Sequence, residues 1–155
     1  MDELRELYQQ VIVDHSRQPR NFGKLAHATH HGEGFNRLCG DRLTLYVSLE
    51  NDVIKEISFE GTGCAISTAS ASLMTEQLMG KTQAEAEKIF QRFHELMTAA
   101  QIPADVTVEQ LGKLAVFMGV RDFPARVKCA TLAWHTLQAS LKNDQKLIST
   151  EETDL

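Results

Sequence analysis

Leu4, Leu7, Tyr8, Val11 and Ile12 recur at the spacing of one helical face, so the chain should open with an amphipathic helix to about His15, which Pro19 helps to stop. After a polar link through Gly23, residues 26–35 carry only a faint alternation and read as a weak edge strand. Leu43, Leu45, Val47 and Leu49 alternate with Thr44, Tyr46 and Ser48, the period of a half-buried strand. Asn51-Asp52 turns the chain, and residues 53–60 should return antiparallel with Val53, Ile57 and Phe59 on one face.

From Cys64 onward the period becomes helical. Residues 65–79 are rich in small side chains, with Ile66, Ala69, Leu73 and Met74 expected inward and Gly80 placed to end the helix in a left-handed conformation. Thr82 with Glu85, and Thr107 with Gln110, have the spacing of capping boxes and start two further helices, separated by Pro103. Their stripes are Ile89, Phe90, Phe93, Leu96 and Met97, then Leu111, Leu114, Ala115 and Met118. Pro124 suits the first turn of a last helix, because its missing amide hydrogen would have no partner there, and Val127, Ala130, Trp134, Leu137 and Leu141 supply its stripe. The fold class expected is α+β, a small antiparallel three-stranded sheet with helices packed against it, as one domain over residues 1–142. Residues 143–155 should form a polar, acidic, frayed tail.

Length and composition agree with this picture. A chain of 155 residues, 43% hydrophobic and 24% charged, can bury one core and is too short to suggest two domains. No apolar run approaches membrane-spanning length, and the N-terminus lacks the basic-then-apolar pattern of a signal peptide, so no membrane and a cytoplasmic setting are expected. A net charge of −5, with no basic stripe, argues against nucleic acid as a partner.

Candidate chemistry sits on three cysteines, Cys39, Cys64 and Cys129. An odd number cannot be used up in internal disulfides, and no Cys-x-x-Cys redox pair is present. A metal site would use all three, with Asp41 as a fourth ligand, because a tetrahedral divalent ion accepts sulfur and carboxylate together. Cys64 follows two glycines and opens a helix, and Cys129 lies near the start of the last one, where orphan amides and the helix dipole favour a thiolate. Cys39 precedes Gly40, which frees the backbone to turn Cys39 and Asp41 towards one ion. The plainer alternatives are a cysteine buried as a small hydrophobe and an aspartate that serves only the turn. Lys128 reads as solvent-facing, His30 and His31 as pointing to opposite strand faces, and His135 and Trp134 as packing residues.

These segments resemble a known family. Asp14-His15-Ser16-Arg17-Gln18-Pro19-Arg20-Asn21, Cys39-Gly40-Asp41, Gly61-Thr62-Gly63-Cys64-Ala65-Ile66-Ser67 and the Cys129 segment are similar, in order, to the motifs of IscU and NifU-type iron–sulfur assembly proteins. The likeness spans nearly the whole chain and is nearest the SufU branch, through Arg126-Val127-Lys128-Cys129-Ala130-Thr131-Leu132-Ala133-Trp134 and the helical stretch from Gly80 to Val120. The IscU scaffold branch commonly carries a histidine before its third cysteine; here that position is Lys128.

The resemblance implies a zinc-dependent sulfurtransferase, a sulfur relay and not a small-molecule enzyme. It would take persulfide sulfur from a pyridoxal-phosphate cysteine desulfurase of the SufS type and serve downstream iron–sulfur assembly proteins. By that likeness Cys39, Asp41, Cys64 and Cys129 hold the zinc, Cys39 accepts the sulfur, and Arg126, one turn before Cys129, assists as a second catalytic residue. Two alternatives are an iron–sulfur cluster scaffold on the same ligands and a purely structural zinc module.

Overall fold

A computed structural model describes residues 2–142 and 148–149. The elements in chain order are α1 (Asp2–Arg17), β1 (His30–Asn36), β2 (Asp41–Glu50), β3 (Val53–Thr62), α2 (Ala65–Leu78), α3 (Gln83–Thr98), α4 (Val108–Leu111), a 3₁₀ segment (Gly112–Val120), α5 (Pro124–Leu141) and β4 (Ile148–Ser149). The antiparallel sheet β1–β2–β3 and the five helices give the α+β architecture expected from the hydrophobic pattern.

Helices cover one face of the sheet. Leu43, Leu45 and Val47 of β2 point into the core with Ile57 and Phe59 of β3, while the alternating polar residues face out. α5 lies over β1 and β2, α2 over β3, α1 packs on α2, and α3 flanks α5. Trp134, Phe93 and Phe117 fill the space between α5, α3 and the 3₁₀ segment, all three fully buried. Two glycines let α5 approach β1: a Cβ on Gly32 would fall 2.2 Å from Ser140 Oγ, and one on Gly34 would fall 2.2 Å from Thr136 Oγ1.

The expected α1-exit segment is tied to α2. Ser72 Oγ accepts from the Arg20 amide at 2.9 Å and therefore has its hydrogen free for His15 Nδ1, 2.7 Å away; Asn21 Nδ2 donates to Thr75 Oγ1 at 3.0 Å. His15 is buried, and burial holds its pKa below the ordinary value.

Four differences from the sequence reading have physical causes. Opposite Ser48–Leu49 the ladder slips by one residue, so the extra Lys55 reverses the alternation and Ile54, not Val53, enters the core beside Ile57. The Thr107–Gln110 capping box forms, yet Gly112, at φ +56, ends the α-helix after four residues and the chain continues as 3₁₀. Leu111, Leu114 and Ala115 are still buried. β1 is not a bare edge, because Gly34 and Phe35 pair in parallel with Ile148 and Ser149, which therefore are strand and not frayed tail. The rest of the expected tail lies outside the described residues.

Candidate metal centre

Three connections place the cysteines at one end of the sheet. The loop from β1 to β2 carries Cys39 and Gly40, whose φ of +69 is the left-handed conformation that glycine adopts without strain. It delivers Asp41 as the first residue of β2, paired across the sheet with Asn36 and fully buried. β3 ends at Thr62, and Cys64 caps α2, its sulfur accepting from the Ser67 amide at 3.4 Å. Cys129 sits on the second turn of α5, whose close seat against Gly34 brings that turn over the end of β1.

The donor atoms of Cys39, Asp41 and Cys129 lie within 4.8 Å of one another. Cys39 is exposed and Cys129 is buried, with their sulfurs 2.9 Å apart. Cys64 stands outside that group of three and joins it through its backbone amide, which donates to Asp41. Asp41 ties the set together: its Oδ1 accepts from the Cys64 amide at 2.8 Å, and its Oδ2 accepts from Asn36 Nδ2 at 3.3 Å. Asn36 Nδ2 also donates to Cys129 Sγ at 3.4 Å. Gly63 leaves room for this carboxylate, since a Cβ there would fall 2.8 Å from Asp41 Oδ1.

The thiols are not equivalent. Cys64 is drawn down to about 7, chiefly by the hydrogen bond from Cys129 and then by the Ser67 amide, against the opposing effect of burial. Without a metal ion the same bond pushes Cys129 up, and burial pushes it further. The helix start adds to the lowering at Cys64, through the Ser67 amide, and not at Cys129, because on the second turn Cys129 meets the Ala125 carbonyl, 3.5 Å away, instead of orphan amides.

The donor chemistry fits a borderline-soft divalent ion: three thiols that become thiolates on binding, plus one hard carboxylate, are the mixture zinc accepts. Arg126 lies on the first turn of α5, ahead of Cys129. It is exposed, with its guanidinium carbon 4.9 Å from the centre of the Phe123 ring. Lys128 is half-buried, while His30 shares a hydrogen with Thr29 Oγ1. His135 packs edge-on against Phe90 and is depressed to about 4, by burial and then by His94. Asn36 carried no role in the sequence reading. A lone asparagine three residues before a cysteine is an ordinary turn residue there, and only its burial between Asp41 and Cys129 marks it out.

Among the described residues no helix is long and apolar enough to cross a membrane. The family described as the NifU-like N terminal domain matches residues 7–145. The chain is 38% identical over 142 residues to the iron–sulfur cluster assembly scaffold protein IscU of Streptococcus pyogenes serotype M1, covering 92% of this chain and 87% of that one. It is also 38% identical over 142 residues to the zinc-dependent sulfurtransferase SufU of Bacillus subtilis (strain 168), covering 92% and 94%. Its fold superposes with a TM-score of 0.80 on a crystal structure from Fervidobacterium islandicum AW-1, described as a candidate iron–sulfur assembly scaffold of the SUF system, at 38% identity over 88% of this chain and 97% of that one.

Proposed function

The chain belongs to the family of NifU-like N-terminal domains, and from that membership we propose a zinc-dependent sulfur acceptor for iron–sulfur cluster assembly, served by a cysteine desulfurase of the SufS type. The observation that carries the reading is the convergence of Cys39 and Cys129 on the buried Asp41 carboxylate, which also accepts from the Cys64 amide. Cys39, Asp41, Cys64 and Cys129 would hold the zinc, whose charge keeps thiolates deprotonated at neutral pH in bonds that exchange readily.

The chain's own residues divide the work by exposure. Asp41 and Cys129 are buried and Cys64 is half-buried, so they anchor, whereas Cys39 lies exposed on its loop and can meet a partner. A thiolate at Cys39 attacks the outer sulfur of the persulfide on the donor's cysteine. A Cys39 sulfur–sulfur bond forms, the donor's sulfur–sulfur bond breaks, and its electron pair leaves on the donor's cysteine as a thiolate, with no net oxidant or reductant consumed. Arg126, exposed one turn before Cys129, would offset the negative charge that gathers as the two anionic sulfurs meet.

A second reading, a scaffold that builds a cluster on the same ligands, is favoured by the naming of the Streptococcus relative. Desulfurase turnover measured with and without the chain at controlled zinc separates them. For the sulfur acceptor, wild type stimulates and Asp41→Ala stimulates at least about tenfold less, since weakening the site weakens the metal. A brown protein, purified without oxygen, that holds iron and sulfide and donates them while leaving turnover unchanged would favour the scaffold.

A further inference from the structure

Asn36 closes β1, and its side chain is completely buried between two of the proposed ligands. One amide nitrogen reaches both Asp41 Oδ2, at 3.3 Å, and Cys129 Sγ, at 3.4 Å. Its Oδ1 is buried without a hydrogen-bond partner among the described residues. Turning the amide over would satisfy neither end, because Oδ1 would then face a carboxylate and a sulfur, both acceptors when ionised. The two ligands therefore set its orientation, although an acceptor is left unpaired.

The four proposed ligands differ in how the chain holds them. Asp41 receives N–H donors from Cys64 and Asn36, Cys64 receives one from Ser67, and Cys129 receives one from Asn36. Cys39 receives none among the described residues; its sulfur is hydrogen-bonded there by the Cys129 thiol, on a loop freed by Gly40. An N–H donated to an anionic ligand fixes that ligand's direction and favours its charged form.

Building on the zinc reading, we propose that Asn36 is a positioning residue that fastens Cys129 and Asp41, so that of the four ligands Cys39 alone is left to exchange. Asn36 touches no incoming group itself; it acts by making the other sites harder to open.

The test uses the full chain loaded with zinc, as wild type and Asn36→Ala, with two readouts besides sulfur transfer. Chelator competition should show zinc held about 10- to 100-fold more weakly in the variant. Alkylation of the zinc-loaded protein, mapped by peptide mass, should mark Cys39 first in wild type and mark Cys129 alongside it in the variant. Equal affinity with labelling still confined to Cys39 overturns the role of Asn36. Should Asn36→Ala fail to fold, wild type loaded with cadmium-113 decides: a coupling between an Asn36 amide proton and the cadmium through the Cys129 sulfur supports the role, and its absence overturns it. Wild type that takes up no zinc on its thiols overturns the ligand reading itself, an outcome distinct from either.

Discussion

Asp41 carries more of the candidate centre than any other residue, because one oxygen positions the start of α2 through the Cys64 amide and the other engages Asn36. That double use explains why it is buried, where an unpaired carboxylate would be costly. It also makes Gly63 a sensitive position without any chemistry of its own. A Gly63→Ala change puts a methyl group 2.8 Å from Asp41 Oδ1, so the carboxylate must turn away. We expect zinc affinity to fall by about tenfold, read by chelator competition, and the unfolding midpoint of the metal-free chain to fall as well, because the turned carboxylate gives up the Cys64 amide. The sequence displays Cys39, Cys64, Cys129 and Asp41 by their chemistry and their glycine neighbours. It does not display Asn36, whose role depends on a cross-strand pairing with Asp41 and on where α5 lands.

Among the elements, α5 and β1 are coupled through missing side chains. Gly32 and Gly34 admit Ser140 and Thr136 so closely that the seat of α5, and with it Cys129, depends on both glycines. Gly32→Ala should destabilise the chain by about 1–3 kcal/mol in urea unfolding, the usual cost of overpacking. Adding Ser140→Ala should recover most of that loss, since the nearest remaining atom is a Cβ at 3.4 Å; two independent, additive losses would contradict this coupling. The elements themselves were legible where a local signal decides them. The Thr82–Glu85 and Thr107–Gln110 boxes both form, and Pro124 opens α5. What the pattern missed depends on distant partners or on a single backbone choice: the Lys55 slip that turns Ile54 inward, the 3₁₀ continuation after Gly112, and the pairing of Ile148–Ser149 with β1.

For the whole molecule, three histidines tie folding to pH, as burial is the largest influence depressing each of His15, His94 and His135. The unfolded chain binds a proton at such a group near its ordinary pKa of 6.5, whereas the folded chain resists until the depressed value is reached. Their contribution to stability is therefore complete above about pH 6.5 and is lost as pH drops below it. For His135, depressed to about 4, the loss accumulates between those values and amounts to about 3 kcal/mol. Urea unfolding from pH 7.5 down to 4.5 should show a shallower acid limb for His135→Leu than for wild type, since the ligand titrations are common to both; parallel limbs would contradict this. The histidines are plain in the sequence, but their burial against Phe90 and Ser72 is a property of helix packing alone.

The central claim is that one exposed thiol of a zinc-bound set receives sulfur while the two less exposed ones hold the ion. The most direct measurement incubates the zinc-loaded chain with a SufS-type cysteine desulfurase and cysteine, then locates added sulfur by peptide mass. The result expected is one extra sulfur on Cys39, none on Cys64 or Cys129, and zinc still bound. Sulfur absent from Cys39, or found on Cys64 or Cys129 with the zinc released, would contradict it.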